Sequence, residues 1–458
     1  MKDQSRRPSF LLTCGATVAA CLLLGAGSAH AQISGTMDND ISRKTGSDSE
    51  CATAKNPTNP DQVFAFCNTS QTGGMFAARS TDGGATWFYP DPSDKTIVDG
   101  DAGQGPTACC DPTLAWDTFG NLFITYLGSG ASVQTILSTD GGATFSNLAT
   151  FTGSVDQPTV VAVETTQPGA PVAVWIVWNQ SGSIVARGAP VTGLGAIGAF
   201  APLQTAPGTS GCSFGDIAVS RAGVVVQSCT PSSGQTGGNI IVNVDADGLG
   251  PGGFGPVIVA GTTNVGGFDF IPAQPTRSVD PETGLQWDAN PASPHFGRLY
   301  LVYTDEVVQE SNNLDIMLKF SDDNGATWSN SPIRLNDDAT VRSQFNPKLS
   351  IDDAVGNIMV CWHDCRESGN NTAMREYCTA GGPAGPSTTF LPNVPIGDGL
   401  SKSNQDGFDF GDYSGLDYSS GTGHPIWGDT SNSTGNNPNR TSNFDAQTDV
   451  VTAITPFE

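Results

Sequence analysis

The 458-residue chain carries 45 acidic against 20 basic residues, a formal charge of −25. That surplus repels phosphate and excludes nucleic acid as an expected partner; it reads instead as solubility, or tolerance of salt and divalent cations, outside the cell. With 56 glycines and 30 prolines and no long stretch of helical periodicity, the chain suits short strands joined by frequent turns and is predicted to be all-β.

The first 31 residues have the three parts of an export signal: basic Lys2, Arg6 and Arg7, an apolar run over 10–24, and a small-residue ending, Ala29-His30-Ala31. The run breaks at Gly25, short of the roughly 20 apolar residues of a membrane span. A cleaved leader over 1–31, a mature chain from about Gln32, and no membrane span are therefore predicted. Two variants stay open: a twin-arginine signal at Ser5-Arg6-Arg7, although Phe10 sits one place late, and a lipoprotein site at Cys21, although three leucines follow it. Without the leader, 17 basic and 44 acidic residues remain, a charge of −27. Residues 32–458 read as one closed all-β domain and as a monomer.

Further along, three segments share the pattern S-x-D-x-G-x-T-[W/F]. They are Ser80-Thr81-Asp82-Gly83-Gly84-Ala85-Thr86-Trp87, Ser138-Thr139-Asp140-Gly141-Gly142-Ala143-Thr144-Phe145 and Ser321-Asp322-Asp323-Asn324-Gly325-Ala326-Thr327-Trp328. Ser and Asp side chains can hold turn amides, Gly supplies backbone angles that a side chain forbids, and the aromatic packs between sheets. Asp82, Asp140 and Asp323 are accordingly assigned to folding. Before each segment lies a strand, tight turn and strand, as in Asp111 to Trp116, Phe119-Gly120-Asn121 and Leu122 to Tyr126. Equivalents begin near Asn56, Gln157, Cys212, Pro275, Asn346 and Phe410, which makes seven units. Units three, four and six lack the pattern but end in Phe200, Phe254 and Phe390. The seventh is one strand short, and residues 33–41, outside the first unit, are placed to complete it.

The repeated pattern resembles the Asp box, or bacterial neuraminidase repeat, of the sialidase-like superfamily. Late segments, Asn346 to Asp353 continuing to Cys361-Trp362-His363-Asp364-Cys365-Arg366, and Gly411-Asp412-Tyr413-Ser414-Gly415-Leu416, resemble secreted bacterial proteins of the same group. The resemblance implies a single β-propeller, seven blades from the unit count and six as the alternative because the sialidase domain has six. It also implies an active site on the face away from the Asp boxes.

Strand parity assigns loops to faces. If the Gly-Asn turn joins strands one and two and the Asp box strands three and four, both share a rim, and the opposite rim takes the two-to-three loops and the connections between blades. There the sequence places Tyr303-Thr304-Asp305, Trp362-His363-Asp364 and Trp427-Gly428-Asp429, then Arg366, Glu367, Asp111, Gln157, Arg277, Arg342 and residues 406–413. By the sialidase resemblance, Arg277, Arg342 and Arg366 would hold a substrate carboxylate through permanently charged bidentate contacts. Tyr413 would be nucleophile, aided by Glu367 or Glu306, with Asp364 for acid-base work; the family's early F/Y-R-I-P motif is absent. Trp362 and Trp427 are candidate sugar-stacking rings, and Asp305, Asp412 and Asp429 candidate ligand contacts. Carboxylate pairs among Asp305, Asp364, Asp412 and Asp429 would suit another glycosidase, and His363, His424 and Tyr413 a polysaccharide lyase. The expected function is recognition of a glycan by a secreted or periplasmic bacterial propeller, with glycoside hydrolysis as its enzyme form and a non-catalytic or protein-binding scaffold as the alternative.

No cofactor is required by this reading. Asp406, Asp409 and Asp412, or Asp245 and Asp247, offer oxygens to Ca²⁺ without EF-hand spacing. Nine cysteines follow the leader. In an oxidising compartment most should pair, Cys51 with Cys67 and Cys212 with Cys229 first. Cys109 and Cys110 either bridge elsewhere or pair with each other, and Cys361, Cys365 and Cys378 could alternatively hold zinc.

Overall fold

The computed structural model describes residues 32–35, 38–70, 73–231, 234–382, 389–403, 407–431 and 447–457; the expected leader lies outside them. Seven antiparallel sheets, each in the strand order 1-2-3-4, follow one another along the chain. Their first strands are Asp48–Lys55, Ala108–Trp116, Val155–Gln167, Cys212–Val219, Gly284–Trp287, Gln344–Ile351 and Gly415–Ser419. Each first strand packs beside the first strand of the next blade, and the seventh packs beside the first. The ring is therefore a closed seven-bladed propeller with the first strands innermost.

The clusters of buried apolar side chains bridge neighbouring blades. Phe123 and Leu127 of blade two meet Val172, Val174 and Trp178 of blade three, and Tyr300 and Val302 of blade five meet Val360 and Trp362 of blade six. Alternating strands present one face to each neighbour, so burying both faces needs a blade on each side, and closing the ring supplies it to all seven.

Closure uses the start of the chain, as the incomplete seventh unit predicts. Asn39–Asp40 pairs with Asp449–Thr452 in the register Asn39↔Thr452 and Asp40↔Val451. Ile33 bridges to Phe457, and Ser42 Oγ donates to Asp449 Oδ1 at 3.1 Å. Two boundaries differ from expectation: blade one opens at Asp48, ahead of Asn56, and blade five opens after Pro275. The stretch around Pro275 does not open blade five; Asp269–Ile271 and Gln274–Val279 form a separate two-stranded hairpin. Hydrogen bonds from Thr276 N and Arg277 N to Asp409 draw it towards the segment before blade seven.

The three S-x-D-x-G hairpins join strands three and four, and their hydrogen bonds repeat. In the second, Ser138 Oγ donates to Asp140 Oδ1 at 2.8 Å and accepts from Gly142 N at 2.9 Å. Asp140 also accepts from Thr144 N at 2.9 Å and Thr144 Oγ1 at 2.6 Å. The carboxylates are thereby held below the usual range; for Asp82 and Asp323 the Thr86 and Thr327 hydroxyls are the leading cause. Each hairpin rests on the second strand of the preceding blade: Gly83 O meets His424 Nε2 of blade seven at 2.9 Å, and Phe145 packs edge-on against Phe64 of blade one at 5.7 Å. These hairpins staple blade to blade. Gly142 has φ +78°, and a Cβ there would lie 2.5 Å from the Phe64 ring. Gly142→Ala should therefore cost about 1–3 kcal/mol, read as a lower midpoint in denaturant; an unchanged midpoint would show that the staple is dispensable.

Among the described residues four disulfides form, which fits an extracellular or secreted protein. Cys51–Cys67, Cys212–Cys229 and Cys361–Cys378 each tie adjacent strands of one blade; the last removes the zinc reading, since those thiols are consumed. Cys109 bonds to its neighbour Cys110, and Cys365 is left as a buried thiol. Among the described residues no helix is long and apolar enough to cross a membrane.

Candidate functional site

On the rim opposite the S-x-D-x-G hairpins, several first strands kink where they enter the ring. Glu50, Asp111, Gln157 and Asn346 take φ of 50°, 57°, 45° and 51°, each inside a break of strand register. Glu282, just ahead of blade five's first strand, has φ 41°. A side chain at positive φ is costly away from glycine, so its recurrence marks a designed bulge that turns one polar residue per strand out of the sheet alternation. Three of the five precede proline or a proline-like bend: Asp111-Pro112, Gln157-Pro158 and Asn346-Pro347.

Side-chain bonds link these residues across blades. Asn68 Nδ2 donates to Glu50 Oε2, Asp111 N to Asn68 Oδ1 at 3.1 Å, and Gln157 N to Asp111 Oδ2 at 3.1 Å. Arg277, from the extra hairpin, donates to both oxygens of Asp412 at 2.8 and 2.6 Å and to Glu50 Oε1. Asp412 N in turn donates to Glu50 Oε1 at 3.3 Å. Tyr413, its hydroxyl 3.5 Å from Pro112 O, sits among these carboxylates.

The electrostatics follow from crowding. Burial, then the Asp156 carboxylate, pushes Asp111 up to about 7; burial, then Asp412, pushes Glu282 up to about 8. Burial, then Asp412, raises Glu50 far above its ordinary value, and burial, then Asp111 and Glu50, does the same to the Tyr413 phenol. Burial works against the charge of Arg277, but Asp412 and Glu50 more than offset it and lock the guanidinium in its charged form. The centre therefore holds crowded carboxyls that keep their protons more tightly than usual beside one arginine fixed in its charged form, an arrangement suited to acid-base chemistry.

No family model matches the chain, and no curated protein does. Among solved structures it is similar to a protein of unknown function from Dyadobacter fermentans, at 10% identity over 93% of this chain and 99% of that one, with a TM-score of 0.44. It is also similar to a Hadza microbial sialidase, at 16% identity over 69% and 63% of the two chains with a TM-score of 0.43. A fucose-specific lectin from Aleuria aurantia matches at 11% identity over 77% and 98%, with a TM-score of 0.41.

The sequence-predicted residues divide into two groups. Arg277, Asp412 and Tyr413 meet at the centre with Asp111 and Gln157. Arg342, Arg366, Glu367 and Asp364 stay within blade six: Arg366 bonds Asp364, Asp337 and Asn393 and lies 4.4 Å over the Tyr377 ring. Glu367 accepts from Arg375 and Tyr377, and Arg342 donates to Gly369 O. The expected convergence of three arginines is corrected accordingly: of the three only Arg277 reaches the centre, where its Nε and Nη2 hold Asp412 and Glu50.

Trp362 and Trp427 occupy the ends of second strands, as parity requires, but they are 0% and 2% exposed. Their rings fill blade interfaces and present no face to a sugar. Asp305 holds Asn264 N, and Asp429 holds Ser431, so both fix loops. Glu306 likewise caps its own loop at Glu310 and Asn312.

His363 pairs with Glu376 at 2.7 Å in the core, and His424, lowered to about 4 by burial, lies on the hairpin rim; neither reaches Tyr413's surroundings as a lyase base would. For Ca²⁺, Asp406 lies outside the described residues, Asp409 is fully buried and taken up by Thr276, Arg277 and Ser403, and Asp245 holds Asp247 N and Gly248 N. Among the described residues no three His, Cys, Asp or Glu side chains gather to hold a metal. Sequence reasoning missed Glu50, inside blade one's first strand, and Glu282, just ahead of blade five's.

Proposed function

We propose that this chain is an exported, glycan-recognising propeller whose ligand site is the carboxylate ring around Tyr413, and that its enzyme form is hydrolysis of a neutral glycosidic bond. The observation that carries the reading is Asp111, its carboxyl raised to about 7, beside the hydrogen-bonded Asp412–Arg277–Glu50 group. Asp111 would protonate the leaving oxygen, while Asp412, held by the Arg277 guanidinium, would stabilise positive charge developing at the sugar or activate water. Because two carboxylates already take the Nε and Nη2 of Arg277 and carboxyls crowd the ring, an anionic sugar would be repelled there, which favours neutral glycosides over sialosides. The leader over 1–31 and the four disulfides both support delivery to a secreted or periplasmic bacterial location.

The mature protein, assayed on neutral aryl glycosides and sialosides, should turn over a neutral substrate with a basic limb near pH 7. Asp111→Asn, which keeps an oxygen for Gln157 N, should lower kcat about 100-fold or more, and Tyr413→Phe should also reduce it. Binding without turnover would leave a lectin-like site; faster sialoside cleavage, or activity indifferent to both substitutions, would refute the assignment. Neither binding nor turnover would leave the scaffold reading.

A further inference from the structure

A second site lies at the periphery, between the outer strand of blade two, Ser146–Thr152, and the middle strands of blade three, Ala170–Gln180 and Ser183–Val191. A cleft of about 320 Å³ opens there, lined by Phe151, Thr152, Trp178, Gln180, Arg187 and Leu203 among others. Its apolar wall is rigid. Phe151 stacks on Trp178 at 5.1 Å with an interplanar angle of 2°, and Phe200 meets Phe151 edge-on at 5.4 Å.

What distinguishes the cleft is its donors. The Arg187 guanidinium lies 5.1 Å over the Phe151 ring. Among the described residues it meets no carboxylate, and its buried Nε has no hydrogen-bond partner. Gln180 uses its oxygen to accept from Trp178 Nε1 at 3.1 Å, which leaves its amide nitrogen directed to donate. Thr152 adds a hydroxyl. In a mature chain with 44 acidic and 17 basic residues, an arginine that meets no carboxylate among the described residues keeps its terminal guanidinium nitrogens for one from outside, the buried Nε fixing the plane of the group. The planar fork of a guanidinium matches a carboxylate bidentately, the cleft volume suits one sugar residue, and the Phe151–Leu203 wall suits the apolar face of its ring.

We propose that this cleft binds a carboxylate-bearing sugar residue, such as a uronate or sialate, with Arg187 as the carboxylate contact. The site is separate from the central ring and independent of any chemistry there. It would let an exported propeller hold an acidic polysaccharide at its edge while the centre handles a neutral part of it.

Calorimetric titration of the mature protein with methyl glucuronide, methyl galacturonide and a methyl sialoside, each against its neutral counterpart or methyl glucoside, tests this. At least one acid should bind about tenfold or more tightly than the neutral glycoside, and Arg187→Gln should abolish that difference while Arg187→Lys retains part of it. Because the Arg187 side chain makes no hydrogen bond or ion pair among the described residues, Arg187→Gln should keep the fold and, at the centre, wild-type turnover. Asp111→Asn should leave the acid's affinity unchanged, which separates this site from the central one. Equal binding of neutral and acidic sugars, unaltered binding in Arg187→Gln, sulfate competing as well as the acid, loss in Asp111→Asn, or no binding of any acid up to about 20 mM would each overturn it.

Discussion

Arg277→Met should destabilise the protein by about 3–5 kcal/mol at pH 8, the largest single effect expected of any side chain at the centre. The substitution keeps much of the apolar stem but leaves Asp412 and Glu50 without their shared cation, and removing one partner of a buried ion pair is far costlier than replacing both. Glu50 is 2% exposed, so water does little to screen it. The loss should shrink at pH 5, because the carboxyl of Glu50, raised by burial and by Asp412, then carries a proton and no longer needs Arg277. Chemical denaturation of both proteins at the two pH values measures this. A loss below about 1 kcal/mol at pH 8, as for exposed pairs, would mean that the arginine is solvated and the ring loose.

Wild-type stability should itself fall as pH rises from about 5 to 8. Asp48 and Asp417 are raised to about 6, Asp111 and Asp269 to about 7 and Glu282 to about 8, in every case with burial as the leading cause. A carboxyl with a raised folded-state pKa binds its proton more tightly folded than unfolded. Its contribution is fully present below the unfolded value near 4 and is lost as pH climbs through the folded value. Asp82, Asp140 and Asp323 run the other way, since lowered values make their contribution disappear only in stronger acid. The optimum therefore lies near pH 4.5–5. Between pH 5 and 8 the net loss should be on the order of 3 kcal/mol, seen as a drop of roughly 5 °C or more in Tm; a Tm that holds or rises over that interval would contradict the protonated ring.

What the sequence revealed was whatever is written locally. Ser138, Asp140, Gly142 and Thr144 bond within seven residues, so their pattern alone locates a hairpin, and the count of such units with a short seventh located the closing strand. Parity sent Asp111, Gln157 and Arg277 to the correct rim. It carries no radial information, however, which is why Arg342 and Arg366 were expected at the centre although Asp337, Asn393 and Tyr377 hold Arg366 in blade six. Trp362 and Trp427 failed for a related reason: strand alternation turns both towards a neighbouring blade, a direction set by register rather than by position along the strand. Glu50 lay hidden because positive φ at a glutamate has no signature in the letters around it.

The seam that pairs Asn39–Asp40 with Asp449–Thr452 also sets an order of events. Ser42 and Asp449, bonded across it, are 407 positions apart, so the first-made part of the circle waits for nearly the last before either edge is covered. Until then the half-built arc exposes strand edges of the kind that aggregate, and the late long-range pairing makes assembly slow. Removing the strand Asn39–Asp40 or Asp449–Thr452 should convert the closed ring into an open, self-associating one.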